Sequence, residues 1–138
     1  MYTTETILTT APPDRIWKIW TDVKNWKKWD RGFREALIKG PFQKNVEGVM
    51  IPDKGPRTGF RITSCVPNFS YTATAKLPFA ELHLHRFIGY HNSKTTVTHE
   101  VWLEGPLSGF WWGLIGRRYS RLMPEVMRKL KQIAESPE

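Results

Sequence analysis

Six β-prone segments follow one another after Gly32, separated only by short breaks that contain glycine, proline or asparagine. A parallel strand pair needs a connection of about a dozen residues or more, usually a helix, and these breaks are shorter than that. The pattern therefore predicts an antiparallel meander. The predicted strands are residues 34–39, 48–51, 59–65, 69–76, 80–90 and 95–104.

Two of these segments alternate between apolar and polar residues, which predicts that one face of the sheet is covered and the other is largely wet. In each segment every second residue is apolar or aromatic, apart from one histidine in the later segment. The covered face is predicted to carry Phe69, Tyr71, Ala73 and Ala75 from the first segment, and Val97, His99, Val101 and Leu103 from the second.

The opening of the chain reads as a strand followed by two short helical segments. Residues 2–10 are rich in threonine and β-prone, and Pro12 and Pro13 then suit the first turn of a helix. Apolar residues recur at helical spacing up to Val23. A second short helical or turn segment carries Trp26 and Trp29.

A long amphipathic helix is predicted from Gly105 to the C-terminal region, with apolar residues along one stripe and arginine and lysine over much of the rest. Pro124 removes one helical hydrogen bond, so a kink or break is expected near residues 120–123. One antiparallel sheet must bury its apolar face against this helix. The order of elements therefore predicts an α+β fold.

Composition narrows the class of protein. The chain has 138 residues, 40% of them apolar and 25% charged, which predicts a single globular domain over residues 1–138. The single cysteine, Cys65, excludes an internal disulfide and a zinc site with several thiolates. No apolar stretch approaches the roughly 20 residues of a membrane span, so stable membrane insertion is not expected. The start of the chain lacks a signal-peptide pattern, which favours a cytoplasmic location.

The net charge of +8 favours anionic partners without choosing among them. Basic residues are spread along the chain, whereas a nucleic-acid interface is expected to be more clustered, so no nucleic-acid partner is predicted. The sequence leaves the oligomeric state open.

A series of short motifs extends this interpretation. In chain order they are Pro13-Asp14-Arg15-Ile16-Trp17, Asp22 with Trp26 and Trp29, Gly40-Pro41-Phe42, Gly48, Leu77-Pro78, His85, Thr95-Thr96-Val97-Thr98-His99-Glu100-Val101 and Gly105-Pro106-Leu107. In this order the chain resembles the SRPBCC (START/Bet v 1-like) superfamily, and more narrowly its polyketide cyclase/dehydrase-type branch. The resemblance covers roughly residues 2–135. It implies a helix-grip fold, in which a curved antiparallel sheet of about seven strands wraps around a long C-terminal helix, with two short helices after the first strand.

Two histidines are candidates for acid–base chemistry. A hairpin centred on Asn92 would place His85 opposite His99, both on the covered face, with His83 near Val101. An imidazole pair in an apolar cavity suits proton transfer near neutral pH. His85 and His99 are therefore the candidate catalytic residues.

The same histidines allow two other interpretations. They can be half-buried core residues that only form hydrogen bonds, and a register slip of one residue would send them to solvent. A metal site formed by His83, His85 and His99, with Glu81 on the same strand face, is the third possibility. The preferred prediction contains no metal and no cofactor.

Aromatic residues make up 13% of the chain and are candidate walls of a ligand cavity, although such residues also fill ordinary cores. Phe69 and Phe87 are expected at the ends of the cavity. Arg86 alternates with the histidines, so it is expected to face outward. The candidate ligand-binding residues are Phe60, Tyr71, His83, Phe87, Val101, Trp112 and Tyr119.

These patterns and the resemblance together favour binding of a hydrophobic or amphipathic small molecule, lipid-like or aromatic and polyketide-like, between the sheet and the C-terminal helix. One alternative is a cyclase or dehydratase-type enzyme that uses the cavity histidines as general acid and base. The other is a protein-interaction or membrane-surface module with a filled cavity and an exposed apolar patch around residues 110–112.

Overall fold

The computed structural model describes residues 1–137 and contains one seven-stranded antiparallel sheet in the order β1-β7-β6-β5-β4-β3-β2. The curled sheet packs one face against the C-terminal helix, as the α+β helix-grip prediction requires. The strands are β1 (Tyr2–Thr9), β2 (Phe33–Ile38), β3 (Glu47–Pro52), β4 (Thr58–Val66), β5 (Ser70–Leu77), β6 (Ala80–His91) and β7 (Lys94–Glu104).

Two short helices connect β1 to β2, and one long helix ends the fold. Helix α1 (Pro13–Thr21) begins at the predicted proline and is followed by a 3-10 helix (Val23–Lys28). The C-terminal helix, α2, is α-helical over Ser108–Trp111, π-helical over Trp112–Gly116 and α-helical again over Arg117–Glu135. Among residues 1–137, no helix combines the length and apolar character needed to span a membrane.

Of the kink or break predicted near residues 120–123, the break is wrong, because α2 stays helical through Pro124. Pro124 lies on the exposed side of the helix, where the carbonyl one turn earlier can be hydrated instead of accepting a backbone N–H. The irregularity lies earlier, in the π-helical segment that contains Gly113 and Gly116. At Gly116 an added Cβ would lie 2.2 Å from the Trp112 ring, so this ring requires a glycine one turn later.

The β6–β7 hairpin differs from the prediction by one residue, with consequences for the site. Asn92 and Ser93 both have positive φ, 51° and 62°, as in the two-residue turns that suit twisted hairpins. A two-residue turn pairs His91 with Lys94 and therefore Arg86 with His99. The predicted pairing of His85 with His99 assumed a turn centred on Asn92 alone, and it is wrong.

Candidate functional site

A cluster of four buried polar side chains lies between the sheet and α2. It consists of Asp30, Tyr71, Arg86 and Tyr119, and we call it the Asp30 cluster. Arg86 Nη2 donates to Asp30 Oδ2 at 3.1 Å, and the Tyr119 hydroxyl donates to the same oxygen at 2.7 Å. Arg86 Nη1 donates to the Tyr71 hydroxyl. The cluster thus joins three separate parts of the fold through direct hydrogen bonds.

Local structure explains how each member reaches this position. Asp30 follows the 3-10 helix, where its backbone N–H donates to the Trp26 carbonyl at 2.8 Å and its Oδ1 accepts the Gly32 N–H at 2.9 Å. Tyr71 of β5 is directly opposite Arg86 of β6. The prediction that Arg86 faces outward is wrong: its side chain is 1% exposed, because the two-residue turn brings its alternation phase onto the inner face.

Two tryptophans enclose the guanidinium. The Arg86 Cζ atom lies 5.0 Å from the ring centroids of both Trp26 and Trp29, within the range of a cation–π contact. Trp26 is itself held by its Nε1, which donates to the Trp20 carbonyl at 2.8 Å. Aromatic faces therefore replace part of the water that Arg86 loses on burial.

The electrostatics of the cluster are those of a buried ion pair with two neutral phenols. Burial raises the pKa of Asp30, and this rise is opposed by Arg86, the Tyr119 hydroxyl and the Gly32 N–H. Burial acts to lower the pKa of Arg86, but Tyr71, Tyr119 and Asp30 together keep that pKa above its ordinary value. Burial also raises the pKa of Tyr71 to about 12 and moves the pKa of Tyr119 well above its ordinary value.

His99 lies beside this cluster on the inner face, as predicted. It is 1% exposed, and its ring centroid lies 5.7 Å from that of Trp20 and 5.8 Å from that of Trp29. Neither ring nitrogen has a hydrogen-bond partner among residues 1–137. Burial, reinforced by the positive charge of Arg86, holds the pKa of His99 well below its ordinary value, so the imidazole is neutral at pH 7.

The depressed pKa of His99 predicts an acid-dependent loss of stability. Below pH of about 6.5 the unfolded chain binds a proton at this position and the folded chain does not, so the free energy of unfolding falls by up to about 1.4 kcal/mol per pH unit until the folded pKa is reached. His99→Leu removes this contribution. We expect urea unfolding between pH 7.5 and about 5 to show a smaller pH slope for His99→Leu than for the unsubstituted chain.

The matched control is His91→Gln, since His91 is exposed at the end of β6 and this variant should keep the slope of the unsubstituted chain. Asp30 contributes equally to the stability of each variant and of the unsubstituted chain. Its contribution therefore cancels when the stability of the unsubstituted chain is subtracted from that of a variant at each pH. Identical slopes for His99→Leu and the unsubstituted chain would show that His99 does not resist protonation in the folded state.

The other predicted site histidines lie on the outer face of the sheet. His85 is opposite Glu100, and its Nδ1 is 2.8 Å from Thr72 Oγ1. His83 stacks on Trp102 at 5.0 Å and its Nδ1 is 3.0 Å from Thr74 Oγ1. The structure therefore does not bring His85 or His83 together with His99, either as a proton-transfer pair or as three metal ligands.

Phe87 is also on the outer face, with its ring 5.3 Å from that of His85. Phe69 lies just before the start of β5 and is 53% exposed, so it is not on the covered face predicted for it. Both expectations about the ends of a cavity are therefore wrong. The prediction for Phe87 contained the same one-residue register error as the prediction for the histidines. Phe69 precedes the strand, in the β4–β5 turn.

A small cavity of about 30 Å³ lies between the inner face of the sheet and the π-helical segment of α2. Of the predicted ligand-binding residues, Val101 and Tyr119 line it, and Tyr119 connects it to the Asp30 cluster. Phe60 and Trp112 do not line it. The ring centroid of Phe60 lies 6.0 Å from that of Trp26, and the half-buried ring of Trp112 packs beneath Gly116. The lining residues are Gly32, Phe33, Met50, Pro52, Asp53, Leu82, Leu84, Val101, Ile115, Gly116 and Tyr119.

An ion pair crosses the edge of this cavity. Arg118 Nε donates to Asp53 Oδ2 at 2.6 Å, which ties the β3–β4 connection to α2. Asp53 lines the cavity, and Ile115 lies beside Gly55 of the same connection. The cavity is therefore bounded by one chain connection and by the π-helical turn, the two least regular parts of its wall.

No protein-family model matches the sequence, and no curated protein matches it. Solved structures do match. Protein MLL2253 from Mesorhizobium loti is 13% identical over 100% of this chain and 99% of that chain, with a TM-score of 0.77. A START superfamily protein from Mycobacterium smegmatis is 11% identical over 96% and 98% of the two chains, with a TM-score of 0.70.

This chain shares its fold with these solved structures. The di-domain ARO/CYC StfQ from the steffimycin biosynthetic pathway shares it as well, at 12% identity and a TM-score of 0.70, over 97% of this chain and 50% of that one. The fold-level resemblance seen in the sequence is confirmed. These matches, at 11–13% identity, establish a common helix-grip architecture.

Proposed function

We propose that this helix-grip domain binds a small, largely apolar molecule between the inner face of the sheet and the π-helical part of α2. The observation that carries the proposal is the cavity itself: its wall is apolar apart from Asp53 and the Tyr119 hydroxyl, and it adjoins a buried polar cluster. Apolar walls with a few placed polar groups are typical of small-molecule sites. A ligand with one hydrogen-bonding group at its inner end suits this arrangement.

The size of the cavity limits the form of binding. A volume of about 30 Å³ accommodates roughly two water molecules, far less than a lipid or an aromatic ring system. Binding of a larger molecule therefore requires the wall to move. We expect the movement at the π-helical segment and the β3–β4 connection, since irregular helical turns are frequent at functional sites and the Asp53–Arg118 ion pair is partly exposed.

A proton-transfer role for His85 together with His99 is not part of this proposal. The two side chains lie on opposite faces of the sheet, and the ring nitrogens of His99 form no hydrogen bond with the Asp30 cluster. Within the proposed site, Val101 supplies apolar contact, and Tyr119 supplies the hydroxyl nearest to the bound molecule.

The first test is native mass spectrometry of freshly purified protein, followed by organic extraction of any bound molecule. Independently, 2-naphthol, 1-acetonaphthone and a saturated fatty acid are titrated in separate experiments, with tryptophan fluorescence and thermal shift as readouts. A clean unliganded mass together with no response to any of the three probes would contradict the proposal and favour an interaction module with a filled core.

Val101→Ile is expected to separate ligand binding from stability. Val101 lines the cavity, so the added methylene fills empty space, stabilises the fold by up to about 0.8 kcal/mol and competes with the ligand. We expect at least a tenfold increase in Kd for a probe that binds the unsubstituted chain. Titration and urea unfolding of the same samples measure both effects.

The matched control is Val97→Ile, the same change four residues earlier on the same face of β7. Val97 is fully buried and does not line the cavity, so its extra methylene overpacks the core at a cost of about 1–3 kcal/mol while probe affinity is kept. Equal loss of affinity in the two variants would show that the probe does not bind in this cavity.

A further inference from the structure

The solvent-facing side of α2 has an unusual order of side chains. Leu107, just before the helix, and then Phe110 and Leu114 are 41%, 61% and 46% exposed, and they recur at intervals of three and four residues. Arg117 and Arg121 continue the same spacing and are also exposed. We call these five residues the α2 stripe. An outward helix face is normally polar throughout, whereas this one is apolar at its start and basic afterwards.

The apolar end of the stripe is extended by neighbouring exposed residues. Phe79, in the β5–β6 turn, is 73% exposed, and its carbonyl accepts the Leu107 N–H at 3.0 Å. Met1 is 59% exposed, and its side chain lies beside Gly109. Single exposed apolar residues are common, but several exposed apolar residues in one region, two of them phenylalanines, mark an interaction surface.

The charge of this surface identifies the kind of partner. Residues 105–124 contain three arginines and no acidic residue, and two nearby glutamates, Glu81 and Glu104, lie beside Phe79 at the opposite end from the arginines. Arg118 pairs with Asp53, whereas neither Arg117 nor Arg121 forms an ion pair with another residue of 1–137. The two free guanidiniums therefore lie directly beyond an exposed apolar tip, on a chain of net charge +8.

From these observations we infer that the α2 stripe docks the protein onto an anionic lipid surface. Phe110 and Leu114 enter the boundary between headgroups and acyl chains, and Arg117 and Arg121 contact lipid phosphates. The spacing suits this arrangement, because Phe110 and Arg117 are separated by roughly two helical turns along α2. Interfacial apolar side chains typically reach about 5–10 Å into that boundary. The inference concerns the outer side of α2 and does not depend on the proposed cavity ligand.

Vesicle co-sedimentation of the full chain tests the inference. The probes are vesicles of equal parts phosphatidylglycerol and phosphatidylcholine, and vesicles of phosphatidylcholine alone, at about 0.05 M and about 0.5 M salt. We expect the protein to sediment with the anionic vesicles at low salt, to be released at high salt, and to stay in solution with the neutral ones. Failure to sediment with anionic vesicles at low salt would overturn the inference.

Two double variants separate the apolar and the charged contributions. Phe110→Ser with Leu114→Ser should weaken vesicle binding at least tenfold. Arg117→Gln with Arg121→Gln should weaken it about 30-fold, because each arginine near an anionic surface contributes slightly more than a factor of about five to the affinity. Only the arginine variant should also flatten the salt dependence. All four side chains are exposed, so the variants are expected to fold. Far-ultraviolet circular dichroism checks that they do.

The controls replace two exposed apolar residues, or two exposed basic residues, elsewhere on the surface. Leu37→Ser with Val66→Ser replaces side chains that are 53% and 52% exposed, and Lys24→Gln with Lys28→Gln removes two charges. Losses in these controls equal to those of the stripe variants would overturn the inference in favour of unspecific attraction. A concentration-dependent dimer that Phe110→Ser with Leu114→Ser abolishes, without vesicle binding, would assign the stripe to a second copy of the chain.

Discussion

Replacing Arg86 with methionine is expected to lower the free energy of unfolding by about 3–5 kcal/mol, a large part of the roughly 5–15 kcal/mol typical of whole domains. The variant leaves Asp30 fully buried without its counter-charge and removes the donor to the Tyr71 hydroxyl. Methionine fills a similar volume between Trp26 and Trp29, so the loss reports mainly on the charge. Urea unfolding at pH 7 measures it.

The pH dependence of this variant has a definite sign. Without Arg86, burial raises the pKa of Asp30 with less opposition, so the folded variant binds a proton at a pH where the unfolded chain does not. The contribution of Asp30 to its stability therefore increases as the pH falls towards the unfolded carboxyl pKa of about 4. Burial of His99 acts in the opposite direction in both proteins, so the deficit relative to the unsubstituted chain shrinks. Asp30→Asn combined with Arg86→Met should recover part of the loss at pH 7 for the same reason.

The matched control is Arg61→Met. Arg61 pairs with Glu47 at 2.9 Å, but both side chains are 54% exposed, so the expected loss is below about 1 kcal/mol. If Arg86→Met were no more destabilising than Arg61→Met, the Asp30 cluster would not be held by its buried charges.

Trp26→Ala is the second variant with a large expected effect, a destabilisation of about 3–5 kcal/mol. Trp26 is fully buried, stacks near Phe60 and Tyr71, covers Arg86 and donates to the Trp20 carbonyl. Truncation opens a cavity and uncovers one side of the guanidinium. Thermal and urea unfolding provide the measurement, and loss of the cooperative transition would mark an effect beyond this range.

Trp102→Ala makes the same truncation on the outer face of β7, where the ring is half-buried and stacks on His83. Its expected cost is about 1 kcal/mol, since little apolar volume is removed from the core. Comparable losses in the two variants would mean that the packing around Arg86 contributes no more than an ordinary surface contact. The effects of Trp26→Ala and Arg86→Met should not be additive, because the two residues touch.

Local sequence patterns correctly predicted the strands and helices of the fold. They did not predict which side chains form the candidate site. Alternation in β7 correctly predicted that Val97, His99, Val101 and Leu103 are buried, since a strand presents every second side chain to one face. The same rule applied to β6 selected His83 and His85 instead of Leu84 and Arg86. The difference arose from one hairpin turn, and a shift of one residue exchanges the two faces of a strand.

Asp30 carried no signal in the sequence that separated it from other turn residues. An aspartate after a helical segment, near two tryptophans, ordinarily lies in solvent and bonds to nearby N–H groups. Its burial depends on Arg86 and Tyr119, which are 56 and 89 positions away along the chain. The helical segment that carries Trp26 and Trp29 was predicted, but the buried ion pair beside it was not.

The sequence by itself determined the order of strands and helices, the covered face of β7 and the resemblance to the START and Bet v 1-like superfamily. These properties depend on local periodicity and on turn residues, and both are readable from neighbours in the chain. Only the tertiary structure decided that the space beneath α2 is nearly filled, that the central pair is Asp30 and Arg86, and that the α2 stripe faces solvent. These features depend on contacts between distant segments and on a single register, and local composition does not encode the distances between them.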